Sequence, residues 1–539
     1  MAKIISLLLS VITALSSFVY GDFGEFFSPS LFIENIDEND ISPLGENVGY
    51  IKNTALVFFE EDAGVFDKAE VLLKTEGNTV GFIDEINLCV IKTQGKNYDE
   101  LTSFCKELEK FDSVAFASIC PAKKLQNQYT PSDPFMDEKG YGTNEWDDEN
   151  PKGNNWHIEA IDARSAWGYK SLFSKIDIGV VDGGFDTEHE ELKGKIIFPT
   201  KRSERRNRPN HHGTHVAGII AAEQDNGVGI SGICSSSTLI CVDWSPSTNQ
   251  LWIADLAVLQ ALGEVVKKGA KVVNFSVGNS SSMGDDNYEF PSIVPDLDSV
   301  LYSYAFGSLL SKGYDFVVVQ SAGNGNGEGY AVDASQNGLF ASIREERAFL
   351  PFSNVTFEDV AHRIIIVGSA EKTETGYMQA KSSNIGDRVD ICAPGSDVYS
   401  CTKDNTYLTK TGTSMAAPVV TGVASLVWSV NPSLTGEEVK EIVCSNTKDI
   451  VLPAEERHYD FLNYKSYPLV NAKLSVEAAL RQLDGFCDVT FETTPKTEVT
   501  FENENAEQFI FESNSQGIVN CVLKAGTYTV NSTETIVVG

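Results

Sequence analysis

The sequence predicts an α/β fold at its centre, a mostly parallel sheet with helices on both faces. A small α+β unit precedes it and a small β-sandwich follows. Three observations carry this. Apolar strands around Val180, Val273, Val319 and Ile366 alternate with helical runs, the most apolar being Met415–Trp428. Residues 46–122 show two helical stripes set among four strand-like runs. From about Leu483 the pattern turns to short alternating segments separated by polar turns.

At the start, Lys3 precedes an apolar stretch, Ile4–Val19, too short for a convincing bilayer crossing. Val19 and Gly21 supply small residues before a cut ahead of Asp22, so residues 1–21 read as a secretory signal peptide and 22–45 as a linker. No other segment is long and apolar enough to span, and a secreted, extracellular product with no membrane partner is expected. The 42 Lys+Arg against 76 Asp+Glu give a net charge of −34. That field repels phosphate backbones, which excludes nucleic acid as a partner.

In residues 46–122, Thr54–Phe59 reads as a strand, followed by a stripe at Val65, Ala69, Leu72 and Leu73. Thr79–Ile83 and Ile86–Thr93 read as two more strands. Leu101, Phe104, Cys105, Leu108 and Phe111 give the second stripe, and Ser113–Ile119 a closing strand. The order β-α-β-β-α-β is ferredoxin-like. Residues 123–155, rich in Pro, Asp, Gly and Asn, form a linker where processing is expected. Ile158–Trp167 is a short helix candidate leading into the next strand.

That strand, Ile178–Asp182, ends on an acid followed by two glycines, which puts Asp182 at the carboxyl edge of the sheet. His211-His212-Gly213-Thr214-His215 then enters an apolar helix. Val317–Gly323 leads to Asn324, an amide donor. Gly412-Thr413-Ser414-Met415-Ala416-Ala417-Pro418 reads as a tight turn feeding a buried helix, with Ser414 in its first turn beside free N–H groups. The chain order Asp, His, Ser is one of the three known for hydrolytic triads.

These four blocks, across roughly residues 156–432, resemble the subtilisin-like (subtilase) serine peptidases. The resemblance implies Asp182, His212 and Ser414 as the triad and Asn324 as oxyanion donor, with His212 chosen over His211 and His215. A base must take the serine proton and return it to the leaving amine, which suits imidazole. A buried acid holds its tautomer. No cofactor is needed for that chemistry. The resemblance further implies that residues 46–122 are a propeptide, inhibiting the enzyme until cut away, with a permanent binding module as the alternative. It places substrate, a protein or peptide, along the edge at Ser276, Val277 and Gly278. A structural calcium is implied near Asp225 and Asn226, although Glu191 stands where the family usually has Asp. The alternative there is a hydrated turn.

The expected product is a secreted serine endopeptidase made as a self-processed zymogen, with its catalytic domain at 156–484 and a β-sandwich at 485–539. An esterase would want a second glycine after the serine, where Ala416 stands. Ten cysteines behind a signal peptide suggest disulfides, with Cys487 and Cys521 the expected pair. Residues 201–208 carry five cations in an otherwise acidic chain, just ahead of His212.

Overall fold

The computed structural model describes residues 41–43, 48–124 and 156–539, apart from short gaps at 61–62, 65–66, 69, 72–77, 84–85, 94–96, 225, 227–228, 245–251, 278–292, 326–328, 337, 374 and 456–461. The signal peptide, most of the 123–155 linker, Asp225 and Gly278 therefore lie outside the described residues.

The first unit is a sheet of β1 (Ile41–Pro43), β2 (Val48–Phe59), β3 (Asn78–Ile83), β4 (Leu88–Lys92) and β5 (Val114–Lys124), with α1 (Tyr98–Leu108) against it. Its order β3-β4-β2-β5 is the ferredoxin-like one. The helix expected around Val65–Leu73 falls mostly outside the described residues. Strand β2 is apolar on both sides because both sides are covered. Ala55, Val57 and Phe59 pack toward α1, whereas Leu56 and Phe58 enter the core of the following domain. Strand β5 runs two residues past the expected boundary at Ala122, since Ala122–Lys124 pair with β9 (Trp252–Ala254) of the next domain.

The central sheet has ten strands, built on β6 (Asp177–Asp182), β7 (Ile196–Ile197), β8 (Thr238–Asp243), β10 (Val272–Phe275), β11 (Val317–Ser321) and β12 (Ile364–Thr373). These six are all parallel, in the order β12-β11-β10-β6-β8-β7. The winding reverses at β6, which has the later strands β8 and β10 on either side. Open α/β sheets bind ligands in the crevice at such a reversal, beyond the carboxyl ends of the strands. The edge is completed by β13 (Gly376–Gln379), β14 (Ile391–Pro394), β17 (Ile450–Leu452) and β18 (Tyr467–Pro468).

Helices cover both faces. One core gathers α5 (His211–Ala221), α8 (Thr413–Val430), α9 (Gly436–Ser445) and α10 (Ala472–Arg481). The other gathers α6 (Asp255–Lys268), which follows β9 (Trp252–Ala254), and α7 (Ile293–Ser311), together with Phe58 and Phe116 of the first unit. Helix α8 is long and apolar enough to cross a membrane but is 94% buried, so its composition reflects the core. The helix expected at Ile158–Trp167 is two short ones, α2 (Trp156–Ala160) and α3 (Ala163–Trp167). Between them Asp162 is left-handed at φ 56°, which breaks the run.

The short alternating segments expected after Leu483 form six strands: β19 (Phe486–Glu492), β20 (Glu498–Asn503), β21 (Gln508–Glu512), β22 (Ile518–Lys524), β23 (Gly526–Val530) and β24 (Glu534–Val538). They make a two-stranded sheet, β19-β22, and a four-stranded one, β21-β20-β23-β24. This lobe docks closely on α3. A Cβ on Gly168 would lie 2.4 Å from the Ile510 carbonyl oxygen. The Tyr169 hydroxyl accepts from Val522 N–H at 2.8 Å and donates to buried Glu477 at 2.9 Å.

The disulfide expectation is corrected: none of the ten cysteines is in a disulfide. Cys487 pairs with Leu523 and Cys521 with Val489. The two thiols are thus diagonal neighbours in the ladder, about 7–8 Å apart by strand geometry, too far for a bridge.

Candidate active site

Asp182 is the last residue of β6, Ser276 follows β10 directly, and Asn324 lies three residues beyond β11. Three neighbouring parallel strands thus deliver an acid, a backbone edge and an amide to one crevice. Two helix N-termini complete it. His212 is the second residue of α5 and Ser414 the second of α8.

Helix α5 is capped by Asn210, whose side chain accepts the His212 N–H at 2.8 Å. The cap fixes the turn from which the imidazole projects. Packing is tight enough to require glycine: a Cβ on Gly213 would lie 1.7 Å from the Gly183 carbonyl oxygen. Strand end and helix start therefore meet backbone to backbone. His212 Nδ1 lies 2.6 Å from Asp182 Oδ1, with the acid side chain 2% exposed and the imidazole 15% exposed. Oδ1 also accepts the Gly183 N–H at 2.7 Å. The Nδ1–H tautomer leaves Nε2 as the basic nitrogen.

The other candidate histidines do other work. His215 is fully buried, its Nε2 3.0 Å from the carbonyls of Val398 and Leu408, and burial pushes its pKa well down. No hydrogen bond joins His211 to Asp182 among the described residues, and the His211 pKa is lowered by burial and then by Lys403 and Lys410. Lys410, absent from the sequence reading, lies close enough to Asp182 for that charge to raise its pKa, although burial lowers it more.

Ser414 sits between two constraints. Its hydroxyl donates to the Ser276 carbonyl at 3.2 Å, and its own carbonyl accepts the Ser276 hydroxyl at 2.9 Å. The second contact exists because of Pro418. Four residues on, proline has no N–H to give the Ser414 carbonyl, which is left for Ser276. Asn274 holds the Ser276 hydroxyl in turn, with Thr421 behind it, at 2.9 Å each. Val277 follows on the same edge.

Asn324 accepts from Thr413 at its side-chain oxygen, from the N–H at 2.8 Å and the hydroxyl at 3.0 Å. Its NH2 group makes no hydrogen bond among the described residues. Helix α8 has Gly412 at its N-cap, with no side-chain cap, and the Ser414 N–H likewise makes no hydrogen bond among the described residues. Two donors thus remain available beside the serine.

The described residues do not fit a calcium ion at the Glu191 loop. Glu191 is buried, and its oxygens accept the Ile230 N–H at 2.6 Å, the Asn226 amide at 2.8 Å and the Tyr407 hydroxyl at 3.3 Å. Donors occupy the lone pairs a cation would need. No cluster of three or more His, Cys, Asp or Glu occurs among the described residues.

Comparison with known proteins gives the family. The chain is 27% identical over 395 residues to the thermophilic serine proteinase of Bacillus sp. (strain AK1), covering 72% of this chain and 81% of that protein. It is 29% identical over 306 residues to thermitase of Thermoactinomyces vulgaris, covering 56% and 86%. Fervidolysin from Fervidobacterium pennivorans shares the fold at a TM-score of 0.56 and 19% identity, covering 90% of this chain and 71% of that one. The profile of the subtilase family matches residues 174–465, more than half of the sequence, and the chain belongs to that family of subtilisin-like serine endopeptidases.

Proposed function

We propose that this enzyme cleaves peptide bonds through Asp182, His212 and Ser414, with Asn324 and the Ser414 N–H as oxyanion donors. The contact of His212 Nδ1 with Asp182 Oδ1 at 2.6 Å carries the reading. A substrate strand laid along Ser276–Gly278 offers its own N–H to the Ser276 carbonyl, and the Ser414 hydroxyl is then free to turn to His212 Nε2. Nε2 takes the proton as Oγ attacks the carbonyl carbon. The oxyanion receives the two uncommitted donors. Nε2 then protonates the leaving amine, and water repeats the sequence on the acyl-enzyme. Asp182 stabilises the imidazolium throughout.

The same reading makes the chain a secreted zymogen. The apolar stretch behind Lys3 supports export. Burial of Phe58 and Phe116 against Tyr304, and the pairing of β5 with β9, support a propeptide held on the catalytic domain as its inhibitor. A fluorophosphonate probe tests the triad. It should label Ser414 in wild type and nothing in Ser414→Ala; equal labelling of the two would refute the assignment.

A further inference from the structure

We propose that Asn384 is a positioning residue for catalysis, holding the Asn324 amide where the oxyanion forms. The inference rests on the reading of Asn324 given above.

Asn324 stands between Gly323 at φ 100° and Gly325 at φ 80°. Both are left-handed, so the amide is carried on a sharply bent segment beyond the end of β11, outside the sheet ladder. One flexible glycine on either side gives that segment freedom to swing. Asn384 removes it. Fully buried between β13 and β14, its side-chain oxygen accepts the Gly325 N–H at 2.9 Å and the Val332 N–H at 3.2 Å. Its NH2 group donates to the Ala322 carbonyl at 2.9 Å. Its main-chain N–H donates to the Gly323 carbonyl at 3.0 Å. One residue thus grips the chain on both sides of Asn324.

The clasp is itself anchored. Gln379 donates to the carbonyls of Ser383 at 2.9 Å and Asn384 at 3.4 Å, and the Ser383 hydroxyl accepts the Ser369 N–H of β12 at 2.8 Å. A neutral amide suits the task, because it accepts and donates from one short side chain without burying a charge. Thr413 fixes the Asn324 side chain, and Asn384 fixes the backbone that carries it.

Catalytic geometry is sensitive at this scale, a misplacement of about 1 Å costing about a hundredfold in rate. Asn384→Ala should therefore lower kcat by roughly ten- to a hundredfold with KM changed by less than about twofold. The deciding measurement is a double-mutant cycle with Asn324→Ala, with folding followed by melting temperature and circular dichroism. Once the Asn324 amide is gone, its position no longer matters, and Asn384→Ala should then cost less than about twofold more. Losses that multiply in the double variant, or a loss confined to KM, would overturn the proposal. If Asn384→Ala does not fold, Asn384→Ser, which keeps a small polar group there, goes through the same cycle. A normal kcat in Asn324→Ala alone would instead overturn the oxyanion reading, so the two failures are distinct.

Discussion

Thr413 donates twice to the side-chain oxygen of Asn324, through its N–H at 2.8 Å and its hydroxyl at 3.0 Å. The residue before the nucleophile thus dictates which end of the amide faces the crevice. A planar ground-state carbonyl has little need of that NH2 group, whereas a tetrahedral oxyanion does. Asn324→Ala should lower kcat by about a hundred- to a thousandfold and leave KM nearly unchanged. Thr413→Val, which keeps the N–H and loses the hydroxyl, should fall between the two enzymes. Steady-state kinetics on one peptide substrate measures both.

Maturation is linked to the same serine. If residues 46–122 are removed by the enzyme itself, secreted Ser414→Ala should fold and keep them covalently attached, while wild type shows a new N-terminus within or near residues 123–133. N-terminal sequencing decides it, and trimming of purified Ser414→Ala at the same bond would exclude self-processing. Added as a separate fragment, residues 46–122 should suppress the mature enzyme.

Four of the five cations ahead of His212 lie on a short helix, α4 (Lys201–Arg206), with Arg208 just beyond it. Arg202 and Arg206 line a small pocket with Trp244, whose backbone N–H donates to the Asp182 carbonyl at 3.2 Å. The pocket beside this helix thus borders the backbone of the triad acid, and a preference for acidic residues beside the scissile bond is expected. Reversing Arg205 and Arg206 to Glu should shift cleavage of a peptide library away from acidic sequences, more strongly at low salt. An unchanged profile would dismiss any electrostatic role for the helix.

At the loop where calcium was expected from the sequence, Glu191 ties Asn226 and Ile230 together directly. Chelator should therefore leave the melting temperature of the mature enzyme unchanged. Burial raises the Glu191 pKa above its ordinary 4.5. A carboxyl with a raised pKa holds its proton more tightly when folded, so its contribution to stability is full below pH 4.5 and is lost as pH rises through the raised value. Glu191→Gln should flatten that part of the melting profile, read by calorimetry across the acid range.

What the sequence made legible was whatever repeats with a local period or sits in a contiguous motif. The C-terminal strands were readable because runs such as Val499-Thr500-Phe501 alternate apolar with polar residues, and the structure buries Val499 and Phe501. The ends of β6 and α5 were readable because an acid before two glycines and a histidine before a glycine have few other uses. Asn384 and Thr413 were not, because their importance lies in contacts reaching back to residues 322–332, far upstream in sequence. The expected disulfide failed for a related reason: whether two cysteines face each other depends on a register of one pair in a ladder. Asp162 broke a helix with a backbone conformation that side-chain periodicity does not report.

The contact of Gly168 with Ile510 bears on how freely the parts of this chain can be exchanged. A lobe joined by a flexible tether can be transplanted between enzymes by cutting the tether. Here the acceptor surface is written into the catalytic half, in a glycine that no side chain can replace and in Tyr169, which caps the β22 backbone at Val522. A chimaera carrying only residues 485–539 would present Ile510 and Phe511 to a surface that cannot receive them. The portable unit is the lobe together with Gly168, Tyr169 and Glu477, three residues lying before the lobe begins.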